Sequence, residues 1–197
     1  MISSIRSRRS VRNFIEKPID RETIEELLIS AMYAPSAKNK QPWEFIVCTN
    51  KTKDQIFQVF YDAIENNIIN EVASSKWLLM AKDTAKLIKK APVLVLVCYD
   101  HKQTKTIKND GDLWDIQCPQ CECCDIQAIG ASVQNLILEA DNLGISSLWV
   151  CDILYAYDEI ASIVNPNGTI LAGVLLGYSE TKPKVPDRNF CKVKWLE

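Results

Sequence analysis

Arg8, Arg9 and Arg12, with Ser10 among them, gather guanidinium and hydroxyl donors into one short stretch near the start of the chain. Arg6 adds a fourth positive charge before the first acid, Glu16, although the 197 residues carry a formal charge of only -2. Charge concentrated against the overall balance is the footprint of an anion, and a phosphate is the commonest small partner for it. The planar guanidinium grips two oxygens at once, and Ser10 adds a neutral donor. In an extended segment residues 8, 10 and 12 share one side, whereas a helix gathers 8, 9 and 12. Two other meanings fit the same residues. An Arg- and Ser-rich opening free of acids reads as a mitochondrial transit peptide, and a run of like charge reads as a solvated face.

Cysteine and histidine usage bounds the remaining chemistry. Four of the eight cysteines crowd together as Cys118, Cys121, Cys123 and Cys124. Such an array could hold zinc or an iron-sulfur cluster, or form a redox-active thiol pair, which would make this a metal or thiol redox protein. Against a metal, closed sites usually draw on two separated pairs, and adjacent Cys123 and Cys124 tend to point apart. Cys124 precedes Asp125, the expected cap of a helix, so the dipole would lower its pKa, opposed by the carboxylates of Glu122 and Asp125. Cys48, Cys98, Cys151 and Cys191 lie among apolar neighbours and read as small core residues. His101 is the only histidine, which excludes a multi-histidine metal site; its polar surroundings suggest a solvated loop. No apolar h-region follows the basic start, so free thiols in a reducing cytoplasm are expected.

Composition and pattern then supply the frame. Hydrophobic residues make up 47% and charged residues 24%, which suits a globular chain, and no apolar run approaches the length a membrane helix needs. The net charge argues against a nucleic-acid partner. Ile24, Leu27, Leu28, Ala31 and Met32 recur at helical spacing behind Asp20, predicting a helix over 20–33 with an Asp cap and a stop at Pro35. Residues 43–48, 93–98, 146–151 and 169–176 read as strands, and 53–65, 71–90, 126–140 and 158–164 as helices. Asp125 is expected to cap the third of these, which should end at Gly144; small residues at 128, 130, 131 and 132 would let another helix approach closely. The stretch 100–124 shows no period, and the tail from Thr181 is basic and proline-rich. Four apolar strands separated by helices imply one α+β domain over 1–197, a mixed sheet flanked by helices. Neither G-x-G-x-x-G nor G-x-x-x-x-G-K-[ST] occurs, so a phosphate would have to be bound by side chains.

Three stretches, in order, resemble the nitroreductase family of FMN-dependent oxidoreductases. They are Arg8-Arg9-Ser10-Val11-Arg12 with Phe14, the run from Pro35 through Asn39 to Gln41-Pro42-Trp43-Glu44-Phe45, and the helix from Asp125 through Gln134-Asn135-Leu136 with Leu143-Gly144-Ile145-Ser146-Ser147-Leu148-Trp149. The resemblance spans roughly residues 5–180 and implies FMN at a homodimer interface. It assigns Arg8, Arg9, Ser10 and Arg12 to the phosphate and ribityl chain, with an arginine near the pyrimidine end. It sends Pro35, Ser36 and Asn39 to the flavin of the other subunit, and sets Ser147, Leu148 and Trp149 beside the ring system through backbone groups. Arg188 is the candidate for a C-terminal phosphate contact, with Lys182, Lys184 and Lys192 as rivals. Trp43 is read as core. The implied activity is NAD(P)H-dependent reduction of nitroaromatics, quinones or related electrophiles by alternate binding of donor and acceptor. The flavin carries the redox chemistry, so no catalytic side chain is named. A flavin-binding protein without reductase activity is the second reading, since a fold and a cofactor do not fix a reaction. The cysteine array is no part of the family pattern.

Overall fold

Seven consecutive apolar residues, Val93–Tyr99, form a strand buried along its whole length, and the rest of the molecule is arranged around it. In this computed structural model, which describes residues 1–69, 75–101, 119–188 and 192–196, the strands are β1 (Trp43–Thr49), β2 (Val93–Tyr99), β3 (Ser146–Val150) and β4 (Thr169–Gly177). Their order is β1-β2-β4-β3, and every pairing between them is antiparallel. The parallel element of the sheet comes from outside these strands, as a single bridge between Ser10 and Ser147.

Alternation along β2 divides the core into two layers. Leu94, Leu96 and Cys98 face Ile56, Phe60 and Ile64 of α3 (Asn50–Ile69), Leu78 and Ile88 of α4 (Ser75–Lys90) and Ile160 of α6 (Tyr157–Val164). Val93, Val95, Val97 and Tyr99 face Ile24 and Leu27 of α2 (Arg21–Met32) and Ile129, Val133 and Leu136 of α5 (Pro119–Asn142). Each fully buried aliphatic side chain contributes roughly 1.5–3 kcal/mol, so this double-sided packing is what fixes the sheet's place. Trp43 joins the second layer, as its apolar surroundings suggest. No described helix is long and apolar enough to cross a membrane.

Local signals explain most boundaries. The Asp20 carboxylate accepts from the Thr23 amide at 2.7 Å and caps α2. Gly144, at φ +73°, turns the chain out of α5, where Ile145 N–H reaches back to the Ala140 carbonyl at 2.7 Å. The expected start of α5 needs correction. The helix begins at Pro119, not at a cap on Asp125, because proline is well placed in a first turn and the cysteine-rich stretch continues the helix. A five-residue helix, α1 (Ser3–Ser7), precedes the arginines; no apolar period announces it.

Two core features generate predictions. Glu44 of β1 accepts from the Asn167 backbone N–H at 2.9 Å and from its side-chain amide, which draws the turn before β4 tightly against β2. A Cβ on Gly168 would lie 1.7 Å from the Tyr99 carbonyl oxygen. We therefore expect Gly168→Ala to lose about 3 kcal/mol or more and roughly 10 °C in Tm, measured by thermal unfolding.

Burial pushes the Cys48 thiol from 9.0 up to about 11, and burial, then Glu44 and Cys48, push the Cys98 thiol to about 12. The unfolded chain releases these protons near its ordinary value while the folded chain keeps them, so folding stability falls as pH rises above about 9. Urea unfolding between about pH 8 and pH 10 should show a shallower loss of stability for the Cys48→Ala/Cys98→Ala double variant than for the wild type.

Candidate functional site

The arginine arm is fixed by backbone pairing to an edge strand. Arg8 N–H closes α1 on the Ser4 carbonyl at 3.0 Å, after which the chain extends. Ser10 bridges Ser147 in parallel, Val11 N–H donates to the Ser147 carbonyl at 3.0 Å, and Ile15 N–H donates to Tyr178 at 2.9 Å. Val11 and Phe14 bury their side chains and so anchor the arm on β3. Arg8, Arg9 and Ser10 are thereby half-buried beside Ser147, Leu148 and Trp149, with Arg12 exposed. Leu148 points its side chain into the α3–α4 layer, which leaves only its backbone for a ligand; Trp149 is 41% exposed.

The charge on this arm is uncompensated. Arg9 Nη1 donates to the carbonyls of Arg6 and Arg8 at 2.7 and 2.5 Å, and Arg12 Nη1 donates to Ser10 at 3.3 Å. Among the described residues no carboxylate reaches Arg8, Arg9 or Arg12. The nearby Asp141 is engaged by the Ser7 hydroxyl and, at 2.7 Å, by Lys182. Arg9 Nε is buried with no hydrogen-bond partner. Leaving a buried donor unmet costs about 1–3 kcal/mol, so the arm suits an acceptor that the described residues do not supply. This fits an anionic group such as the phosphate of FMN.

The second predicted stretch forms a strained loop. Lys38, Asn39 and Gln41 all take left-handed backbone angles, with φ of 53°, 54° and 51°. For residues other than glycine such geometry costs on the order of 1–3 kcal/mol each and persists only where surroundings impose it. Here Asn39 N–H donates to Ser36 at 3.0 Å, Lys40 N–H to Ala37 at 3.1 Å, and Gln41 N–H to the Ser36 hydroxyl at 2.9 Å. Pro35, Ser36 and Ala37 line a cavity of about 310 Å³ against Cys124, Gln127, Ala128 and Ala131 of α5. A larger cavity of about 840 Å³, between α2 and the far end of β1, is lined by none of the residues proposed from the sequence to hold the cofactor.

Within one chain the arm and the loop lie at opposite corners of the sheet. The loop leads into Trp43 at the start of β1, and the arm lies on Ser147, in the row of Leu176, Val93 and Thr49 at the other end of β1. Three strand spacings, about 14 Å, and the length of β1, about 20 Å, separate them. Helix α5 gives the same answer: Ala128 lines the loop cavity while Asp141 meets Ser7, roughly 20 Å along the axis at 1.5 Å per residue. Arg188 lies in the exposed tail, with no hydrogen bond or ion pair to the arm; the tail residues tied to that region are Thr181, whose hydroxyl accepts from the Asn13 amide, and Lys182, through Asp141.

The cysteines divide differently from expectation. Cys48 and Cys98 are core, but Cys151 is exposed at the end of β3. Cys123 and Cys124 are exposed, and with α5 starting at Pro119 neither sits at a helix N-terminus, contrary to the expected cap at Asp125. Cys118 and Cys191 lie outside the described residues, and no group of potential ligands that could hold a metal occurs among those that are described. His101 Nε2 pairs with the Thr169 hydroxyl at 2.7 Å. One feature escaped the sequence reading altogether: Asp125 is buried, receives the Tyr99 hydroxyl at 3.1 Å and faces Lys40 Nζ at 3.5 Å. A lone Asp ahead of an apolar period looks like a cap, and nothing in its spacing points to Lys40 or Tyr99.

Comparison with known proteins places this geometry. A provisionally described NADH dehydrogenase/NAD(P)H nitroreductase of Archaeoglobus fulgidus is 29% identical over 182 residues, covering 90% of this chain and 84% of its own. The crystal structure of a BluB-like flavoprotein from Clostridium difficile 630 superposes with a TM-score of 0.76 at 25% identity, covering 99% of this chain and 98% of that one. A Desulfovibrio desulfuricans protein crystallised in complex with FMN matches with a TM-score of 0.71 at 22% identity, covering 99% and 95% of the two chains. The model of the nitroreductase family matches residues 5–178, from within α1 to the end of the sheet, and the chain belongs to that family.

Proposed function

We propose that this chain is a homodimeric, FMN-dependent NAD(P)H oxidoreductase that reduces nitroaromatics, quinones or related electrophiles, donor and acceptor binding in turn over one face of the cofactor. The observation that carries the reading is the arm itself: Arg8, Arg9 and Arg12 have no carboxylate among the described residues, and Arg9 Nε is buried and unmet. The FMN and NAD(P)H named for the related proteins support it.

The side chains divide the work. Arg8, Arg9, Ser10 and Arg12 would hold the phosphate and ribityl chain, and the backbone of Ser147, Leu148 and Trp149 would border the ring system. Positive charge and amide donors at the pyrimidine end stabilise negative charge there electrostatically, without transferring a proton. When bound, the flavin supplies the redox chemistry, taking hydride from the nicotinamide and passing electrons to the acceptor. The protein binds, orients and shields, so no general acid or base is assigned.

A second copy of the chain resolves the separation between arm and loop. In a two-fold dimer, the arm of one chain and the Pro35–Ser36–Asn39 loop of the other form one site, and the remaining pair forms its mate. Apolar side chains exposed on a single chain support such contact: Ile29 and Met32 on α2, Tyr33 just after it, Ile126 on α5, and Trp195 and Leu196 in the tail. The tail would then carry Arg188 toward the partner's site. The whole of 1–197 is read as one nitroreductase-like domain, and its free buried thiols suit a reducing cytoplasm.

Steady-state oxidation of NADH or NADPH with a nitroaromatic or quinone acceptor tests the activity. FMN-dependent turnover with initial-rate lines parallel across acceptor concentrations is the expected result. Protein that stays colourless after incubation with FMN would overturn the proposal, and protein that binds FMN but resists reduction by either nicotinamide would point instead to a non-reductase flavoprotein.

A further inference from the structure

Three elements bring a charged cluster together behind the strained loop. Lys40 comes from the loop, Tyr99 from the end of β2, and Asp125 from the second turn of α5. The Tyr99 hydroxyl donates to Asp125 Oδ2 at 3.1 Å, and Lys40 Nζ lies 3.5 Å from the same oxygen. The Asp125 side chain is 2% exposed and that of Lys40 17%. Oδ1 of Asp125 is buried with no hydrogen-bond partner. A charge so enclosed is costly to leave unpaired, so the burial of Asp125 favours Lys40 staying beside it against α5.

Lys40 sits between two left-handed residues, Asn39 and Gln41. Its position therefore sets theirs. The loop is also held by short local hydrogen bonds, Asn39 to Ser36, Lys40 to Ala37 and Gln41 to Ser36, and by the Asp100–Pro42 backbone bond at its exit. The Lys40–Asp125 pair fastens the loop across the molecule to α5.

We infer that Asp125 is a positioning residue: through Lys40, with Tyr99 bracing it, the buried carboxylate holds the Asn39 backbone in the shape that closes over the flavin. The inference rests on the proposed flavin site. It assigns Asp125 no contact with cofactor or substrate. Its effect is on the population of the closed-ready loop, and it appears in cofactor affinity before turnover.

The test uses the full chain and two readouts. Lys40→Met keeps the stem and removes the charge; Asp125→Asn keeps volume and the tyrosine contact; Lys40→Arg restores a cation. FMN affinity, read by quenching of its fluorescence, should weaken about tenfold or more in each of the first two variants, no further in the double variant, and stay within about threefold in Lys40→Arg. Without FMN, hydrogen exchange at the amides of Asn39, Lys40 and Gln41 should quicken about tenfold in Lys40→Met. Unchanged affinity and exchange in Lys40→Met would overturn the inference, as would additive losses in the double variant. A merely structural role would lower the unfolding temperature and leave affinity and local exchange as they were. Should Asp125→Asn fail to fold, Lys40→Met and Lys40→Arg decide the matter alone. If wild-type protein binds no FMN, the flavin reading fails; quickened exchange would still show the latch, and unchanged exchange would remove both.

Discussion

Backbone pairing of a positively charged arm to the edge of β3 is the constraint on which the site depends. The Val11–Ser147 and Ile15–Tyr178 hydrogen bonds, with Val11 and Phe14 sunk beneath them, hold three arginines on one short arm without a carboxylate among the described residues to offset them. Left to itself such an arm is repelled by its own charge. It is tolerated because the sheet edge and the buried apolar anchors hold it there, and it also covers pairing groups of β3 that would otherwise be open to another chain. A doubly charged phosphate, as proposed for this arm, would relieve both the repulsion and the unmet Arg9 Nε.

Geometry elsewhere follows from where that edge lies. With the order β1-β2-β4-β3, the arm on β3 and the loop before β1 cannot converge within one chain. The two stretches are joined by α5, whose early turns line the loop cavity and whose last turn meets α1; in the proposed dimer each would be half of a site. A rigid 24-residue helix between them means that a second copy packing along α5 would meet both halves at a set distance. The family match runs from residue 5 to 178 and so takes in the arm, the loop and α5 together.

Some of this was legible in the chain and some was not. The arm, the loop and the buried strands could be read because each has a local signature: clustered arginines, a Pro-Ser…Asn run with turn formers, uninterrupted β-branched residues. Asp20 behaved as a cap because its partner, Thr23, is three residues away. Asp125 was misread for the complementary reason: its partners, Lys40 and Tyr99, are distant in sequence, and only the packing of α5 on the sheet brings them to it. The early start of α5 was hidden because residues 118–124 carry cysteines and a proline where an apolar period would be sought. Cys151 looked like core from its apolar neighbours, yet it follows the last residue of an edge strand, where the chain turns outward.

The most direct measure of the central claim is the ratio of riboflavin to FMN dissociation constants, in the wild type and in Arg8→Ala and Arg12→Ala. If the arm is a phosphate grip, the wild type binds FMN on the order of a hundredfold more tightly than riboflavin, the advantage shrinks as salt is raised, and each substitution weakens FMN while leaving riboflavin nearly untouched. Equal affinity for the two ligands, or equal losses for both on substitution, would contradict the account.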